Sequence, residues 1–380
     1  MGNKDKNLCA LRLILFFYLN KSIGNLSLSN FVQCCKYMTM GNRIGNNGMY
    51  TLLVGLIVLL PLAGGKAQNA SIFETLGKIP TQEVSLELDF NALNEFRKKD
   101  QTFPAILRYK TENGDSVSWT VKLSVRGRYR RLFCDFPPIK VTFPKKELQA
   151  RNLANFNDLK WVTHCFEDHD SDEHLLREYL AYGIYREISP YSYRTQLLKV
   201  TYINSGKPHQ KIMRFAFVVE DDAEISQRLQ LKENKDSFVI PLDSLDANSE
   251  NQVAVFQYMI GNTDWSIVKG QKNVKYFKPL NGGKTVVIPH DFDFSGFVNA
   301  GYAVPATGTN IQTVRDRAFM GVKADKTILE ATLRLYRDKQ NGMNQYINSF
   351  PHLNDAVKKE LIRYLNSFFS RDAGKLAASQ

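Results

Sequence analysis

Asp264, Asn273 and Asp291 are the residues of this chain whose types and order could do chemistry. Between Gly261 and Gly296 the chain reads GNTDWSIVKGQKNVKYFKPLNGGKTVVIPHDFDFSG. It holds Asn262-Thr263-Asp264, then Asn273 nine residues after Asp264, then Asp291-Phe292-Asp293 behind an apolar run. Phosphoryl transfer asks little of a protein: one carboxylate to position the attacking hydroxyl, and an amide plus a second carboxylate to hold Mg²⁺ against the phosphates. In that chemistry Asp264 orients the hydroxyl, while Asn273 and Asp291 hold Mg²⁺ or Mn²⁺, with Asp293 as a further oxygen donor. Mg²⁺ keeps several waters, so two protein ligands suffice. Carboxylates at i and i+2 of an extended segment point to opposite faces, so both reach one ion only if the chain turns there. Each residue alone has a plainer reading. Asp264 suits an Asx turn after a helix, Asn273 a hairpin surface, and the Asp pair an acidic turn.

The elements that must position these groups follow from periodicity. Residues 82–92 alternate as a half-buried strand does. Two more strand-like runs occupy 104–125, and Asn113-Gly114 between them signals a hairpin. The basic turn RGRYRR (126–131) leads into a short strand, PPIKVTF. Lys140 lies in that strand between Ile139 and Val141, with Lys122 as a rival for reaching phosphates. A helix is expected from about 171 to 188, where Leu175, Leu176, Tyr179, Leu180, Ile184 and Tyr185 recur at helical spacing. Glu178 on it is a candidate partner for the lysine, with Glu173 as a rival. Arg126 is a candidate phosphate clamp, because guanidinium binds phosphate oxygens in pairs. Strands at 195–204 and 212–220, an apolar helix at 251–262, a hairpin across 272–289, a loop beyond 295 and helices at about 326–339 and 354–371 complete the reading. Arg315 and Arg317 suit either an acidic substrate or ion pairs. The order predicts an α+β protein: a β-rich N-terminal lobe with one inserted helix over 69–225 and a more helical C-terminal lobe over 226–380.

Residues 1–68 are read as a leader with a secretory signal peptide, whose apolar core lies within 49–68 and is followed by small residues. Such a run is too short to span a bilayer, and no stable membrane span is expected in the mature form. A signal peptide so far inside the chain implies a start at Met38, Met40 or Met49. A hydrophobic anchor at residues 9–19 is the alternative. Of the net charge of +12, +6 resides in residues 1–68. The remaining +6 is too mild for a dedicated nucleic-acid binder. Of five cysteines, Cys134 and Cys165 lie in the mature part, as one disulfide or as two buried thiols. The histidines are too irregularly spaced for zinc. The chain is expected outside the cytoplasm: periplasmic, on the cell surface or secreted.

From Arg126-Gly127 through PPIKVTF, the segment LKWVTHCFEDHDSDEHLLREYLAYGIYREIS, the strands VTYIN and RFAFVVED, and then NTDW, KN and HDFD, the chain resembles the CotH kinase family of atypical kinases. The resemblance runs through roughly residues 120–300. It implies a bilobal kinase-like fold, an antiparallel N-terminal lobe, ATP as substrate, and Glu220 where the linker between lobes meets adenine. The family usually places small hydroxyl residues after Arg-Gly, whereas this chain has Arg128-Tyr129-Arg130-Arg131. The expected activity is transfer of a phosphoryl group from Mg-ATP to a protein or small-molecule hydroxyl, with nucleotidyl transfer as a relative of that chemistry. The alternatives are an inactive kinase-like binding protein of the surface or periplasm, and a metal-dependent hydrolase built on Asp291 and Asp293.

Overall fold

Alternation of apolar and polar residues builds the first half of the protein. The computed structural model describes residues 69–379 apart from 169, 208, 236–239 and 269; the leader, signal segment and alternative anchor expected within 1–68 lie outside the described residues. Helix α1 (Ile72–Leu76) starts at a capping box made by Ser71 and Glu74. Strand β1 (Thr81–Leu88) buries Val84, Leu86 and Leu88, and the short helix α2 (Phe90–Glu95) ends it earlier than the pattern at 82–92 predicts. Strands β2 (Phe103–Lys110) and β3 (Ser116–Val125) form the expected hairpin, with Gly114 at φ 86° in its turn. The basic turn leads to α3 (Arg130–Phe133), β4 (Ile139–Thr142), α4 (Lys145–Ala150) and β5 (Asp158–Thr163). Helix α5 (Asp170–Ile188) intervenes before β6 (Thr195–Asn204) and β7 (Lys211–Val219).

These seven strands close into a barrel in the order β1-β2-β3-β4-β5-β7-β6. Neighbours are antiparallel except at the seam, where β1 runs parallel to β6 from Thr81↔Leu197 to Leu88↔Asn204. The wholly antiparallel lobe expected from the sequence is thereby corrected. No residue of β1 announces a partner more than a hundred positions away. Closure leaves the barrel no free edge. Trp119, Trp161, Leu107, Val141, Leu198 and Tyr202 fill its interior.

Helix α6 (Asp222–Leu229), strand β8 (Leu231–Glu233) and helix α7 (Ala247–Met259) follow. Strands β9 (Val274–Pro279) and β10 (Val286–Pro289) complete a three-stranded antiparallel sheet in the order β10-β9-β8. Helices α8 (Lys326–Asn348), α9 (Asp355–Ser367) and α10 (Ala373–Ser379) close the chain, with a π-helical turn at Phe368–Asp372. The protein is thus α+β, with a β-rich sheet and a helical C-terminal region. A second hydrophobic core unites α5, α7, α8 and α9 with Val162, Phe217 and Val219 from the outer faces of β5 and β7. Helix α5 is sandwiched between barrel and helices, which is why it buries Arg177 and Glu178 along with its apolar residues. No helix among the described residues is long and apolar enough to cross a membrane.

The loop that carries the candidate chemistry is laced shut at its ends. The Gly296 N–H donates to the Gly261 carbonyl at 3.1 Å, and the Phe297 N–H to that of Ile260 at 2.9 Å. Both glycines are required by crowding. A Cβ on Gly261 would lie 2.2 Å from the Tyr364 hydroxyl, and one on Gly296 would lie 2.2 Å from the Val314 carbonyl oxygen. Arg315 donates to the Gly296 carbonyl at 2.7 Å and pairs with Glu360. Arg317 donates to the Met259 carbonyl at 2.9 Å and pairs with Asp372 at 2.7 Å. The two arginines brace the loop and are engaged by internal ion pairs.

Candidate functional site

A cleft of about 840 Å³ opens where the basic turn from the barrel faces the 261–296 loop. Arg126, Arg128, Arg130, Asp264, Asn273, Lys275, Asp291, Asp293 and Tyr302 are among the residues that line it. Asp264 stands just past the end of α7. Its backbone N–H is held by the Asn262 side chain at 2.9 Å, so the Asx turn forms and presents the carboxylate as well. That carboxylate pairs with Lys272 and accepts from the Asn273 amide nitrogen at 2.9 Å. The same nitrogen donates to the Asp264 carbonyl at 2.7 Å. With its N–H groups so engaged, Asn273 has its side-chain oxygen as remaining acceptor.

Asn273 and Asp291 sit at φ 53° and 64°, in the left-handed region that non-glycine residues rarely occupy. Strain of this kind persists only where surrounding structure enforces it, and it clusters at functional sites. Here the enforcing bonds are visible. The His290 N–H donates to the Asn273 carbonyl at 3.0 Å, and the Asp291 N–H to the Tyr182 hydroxyl at 2.9 Å. Phe292 is fully buried, 4.7 Å from the Tyr182 ring and 5.4 Å from Phe256. Phe292 points into the core, and the turn gives both flanking carboxylates access to the cleft.

Burial pushes Asp293 up to about 7, with the neighbouring Asp291 charge adding to the effect. Asp291 opens to cleft solvent, yet protein crowds it closely enough to raise its pKa, with Arg126 and Arg130 working against the rise. Glu178 is also raised, by burial first and then by Asp293, against Arg130 and a hydrogen bond from the Phe292 backbone. Its carboxylate lies 3.8 Å from the Arg130 guanidinium. The Tyr302 hydroxyl donates to Asp293 at 3.0 Å. Burial works against the charge of Arg130, but Tyr302, Asp293, Glu178 and Asp291 outweigh it and raise the pKa.

Two further lysines stand close by, Lys275 of β9 lining the cleft and Lys160 of β5 just outside its lining. Lys160 and Lys275 share Asp222, which also accepts from the Tyr193 hydroxyl at 2.7 Å. Asp222 is held below the usual carboxylate range: burial opposes its charge, and the two lysines overcome that. Burial and the same lysines push His290 down to about 3, so it is neutral at physiological pH.

Among the residues singled out from sequence, Arg126, Asp264, Asn273, Asp291 and Asp293 line this one cleft. Glu178 borders it from behind, in a small cavity shared with Arg130, Asp293 and Tyr302. Three expectations are corrected. Lys140 is not at the cleft: it pairs with Asp158 at 3.2 Å on the outside of the barrel, half exposed. Glu220 is not at the cleft either, because Arg194 and Arg228 enclose it. Nor does Glu178 meet a strand lysine, since its partner is Arg130. Arg130 and Lys160 were missed. Alternation in Leu159-Lys160-Trp161 does put Lys160 on the face opposite the barrel interior, the same face as cleft-lining Val162. Nothing in RGRYRR marks Arg130 over its neighbours.

The donor set fits Mg²⁺ or Mn²⁺: hard carboxylate oxygens from Asp291 and Asp293 and an amide oxygen from Asn273, all at one cleft. Among the described residues no cage of three or more His, Cys, Asp or Glu exists, and an ion that keeps most of its waters does not require one. No family model matches the chain, and no curated protein matches it. Among solved structures, the chain is similar to the crystal structure of a Helicobacter pylori proinflammatory kinase, CtkA, at 13% sequence identity over 67% of this chain and 94% of that one, with a TM-score of 0.38.

Proposed function

We propose that residues 69–380 form a kinase-like phosphotransferase that moves the γ-phosphoryl group of ATP to a protein or small-molecule hydroxyl, with 69–225 and 226–380 as its two lobes. One observation carries the reading: Asp264, Asn273, Asp291 and Asp293, dispersed over 30 positions, meet at one cleft whose opposite wall is cationic. Asp264 orients the attacking hydroxyl and accepts its proton. Asn273, Asp291 and Asp293 would hold Mg²⁺, which when bound neutralises charge at the phosphates. Arg126 faces the transferred group and stabilises the charge spread over its oxygens. Lys272 and Asn273 fix the Asp264 carboxylate, so that little reorganisation is needed at the moment of transfer.

The exported location rests on the signal-like segment at 49–68 and is supported by the Cys134–Cys165 disulfide, a bond suited to oxidising compartments. The test is phosphoryl transfer by the full chain alongside Asp264→Ala and Asp291→Ala. Transfer by the parent and its loss in both variants is expected; equal signal in all three overturns the assignment. A second reading is a kinase-like shell that binds nucleotide without transferring phosphate. The Lys272–Asp264 ion pair favours it, because a carboxylate engaged by Lys272 and Asn273 has fewer lone pairs left for a substrate hydroxyl. A thermal-shift gain with Mg-ATP and no transfer to any acceptor, or to water, would select the shell.

A further inference from the structure

Residues 126–131 join neighbouring antiparallel strands, and their backbone is closed at the base by the Arg126 N–H on the Pro138 carbonyl at 2.9 Å. Their arginines behave differently from one another. Arg128 is exposed, and Arg131 donates to the Arg97 carbonyl. Arg130 turns inward, and its side chain is only 11% exposed. It lines the cleft and also a cavity of about 10 Å³, shared with Glu178, Asp293 and Tyr302, that has room for about one water. It donates to the Thr163 carbonyl and faces Glu178 at 3.8 Å. The arrangement is incomplete. Arg130 Nε, a donor, and Glu178 Oε1, an acceptor, are buried with no hydrogen-bond partner, and buried polar atoms of this kind are ordinarily satisfied. A guanidinium with an unused donor, at the rim of a metal-type carboxylate pair, suits phosphate oxygens.

The segment that carries Arg130 exposes much of its apolar surface: Tyr129, Leu132 and Phe133 are 41%, 51% and 57% exposed. Arg97 holds its far end through the Cys134 and Asp135 carbonyls, and the Phe136 N–H donates to the Cys165 carbonyl at 3.1 Å. The segment's covalent anchor is the Cys134–Cys165 disulfide. Cys134 lies four residues beyond Arg130, and Cys165 two beyond Thr163, so the disulfide bridges the same two segments as the Arg130–Thr163 hydrogen bond.

We propose that Arg130 binds the donor phosphates, that Glu178 is its positioning residue, and that the Cys134–Cys165 disulfide locks the pair in place, so that reduction of the disulfide weakens nucleotide binding. This rests on the transferase reading of the cleft. Reduction by a dithiol balances simply. The dithiol delivers two electrons and two protons, the S–S bond breaks, two cysteine thiols form, and the dithiol closes to its own cyclic disulfide.

The experiment is calorimetric titration of the full chain with a non-hydrolysable ATP analogue in Mg²⁺, and with adenosine, which lacks phosphates. The analogue should bind Arg130→Gln at least tenfold more weakly than wild type, with adenosine unchanged. Glu178→Gln should weaken the analogue in the wild-type background and add nothing to Arg130→Gln. Dithiol-reduced wild type and the Cys134→Ser/Cys165→Ser variant should show the same loss, again without effect in the Arg130→Gln background. Analogue binding within twofold of wild type in Arg130→Gln overturns the phosphate role. Undiminished binding in the serine pair overturns the lock. So does unfolding of the serine pair where Arg130→Gln stays folded, which would make the disulfide a structural staple. If oxidised wild type binds no nucleotide, the transferase reading falls and takes this inference with it. If wild type binds and transfers but Arg130→Gln matches it, only this inference falls.

Discussion

Glu178 and Glu220 are both buried and both face arginine, yet they do opposite things. Glu220 is completely enclosed, and each oxygen is doubly engaged: Oε1 accepts from Arg194 Nε at 2.9 Å and Arg228 Nε at 2.8 Å, Oε2 from the Arg194 backbone at 3.0 Å and Arg228 Nη2 at 2.8 Å. A carboxylate has about four acceptor sites, so nothing remains for a ligand. Glu178 has one arginine at 3.8 Å and an oxygen without partner, next to a cleft with further acids. Saturated valences mark an ion pair that holds the fold together. Leftover valences beside open space mark a site. Glu250 adds a third case. It is buried without an arginine, and burial pushes it up to about 7, so it sheds its charge as pH falls through neutrality.

The largest effects should come from the open cluster. Asp264→Asn and Asp291→Asn are expected to lower phosphoryl transfer about 10³-fold, with melting temperature nearly unchanged. A large fall in melting temperature would mean that these carboxylates are structural like Glu220. The closed cluster should answer in stability instead. Glu220→Ala strips Arg228 of its carboxylate and Arg194 of one of its three, and should destabilise by about 3 kcal/mol in urea titration, while nucleotide affinity of the folded fraction is retained. An equal loss of affinity would erase the distinction between the two glutamates.

Glu250 sharpens the comparison through pH. Its folded pKa, about 7, lies above its ordinary value of 4.5. The stability it contributes is therefore fully present below pH 4.5 and is lost as pH rises through 7. Glu250→Gln, measured by denaturant unfolding, should be more stable than wild type at pH 8, by on the order of 3 kcal/mol. The gain should vanish at pH 4. The smallest effect belongs to Lys140. Its exposed pair with Asp158 implies a change within about 1 kcal/mol for Lys140→Ala, and transfer should be unaffected.

Much of this was legible in the chain. Alternation placed β3, β6 and β7 within a residue or two, and Asn113-Gly114 announced its hairpin, because both signals depend only on near neighbours in sequence. Helix ends were less legible. Helix α8 runs on to Asn348, past the expected 339, since tertiary burial of Met343 and Ile347 extends it. Lys140 and Lys160 show the limit more sharply. Both alternate with apolar residues, and alternation assigns each to a face without saying what covers that face. The two are cross-strand partners on the barrel's outer face, where Asp222 of α6 takes up Lys160 and Lys140 is left half exposed.

Sequence by itself determined most of the strands, the four longest helices and the order of the carboxylates and amide that meet at the cleft, because those follow from local periodicity and residue chemistry. Tertiary structure alone decided the parallel seam between β1 and β6, the partner of Glu178 and the enclosure of Glu220. Each of those depends on groups far apart along the chain. Burial and electrostatics act on distance in space, and no local pattern encodes that.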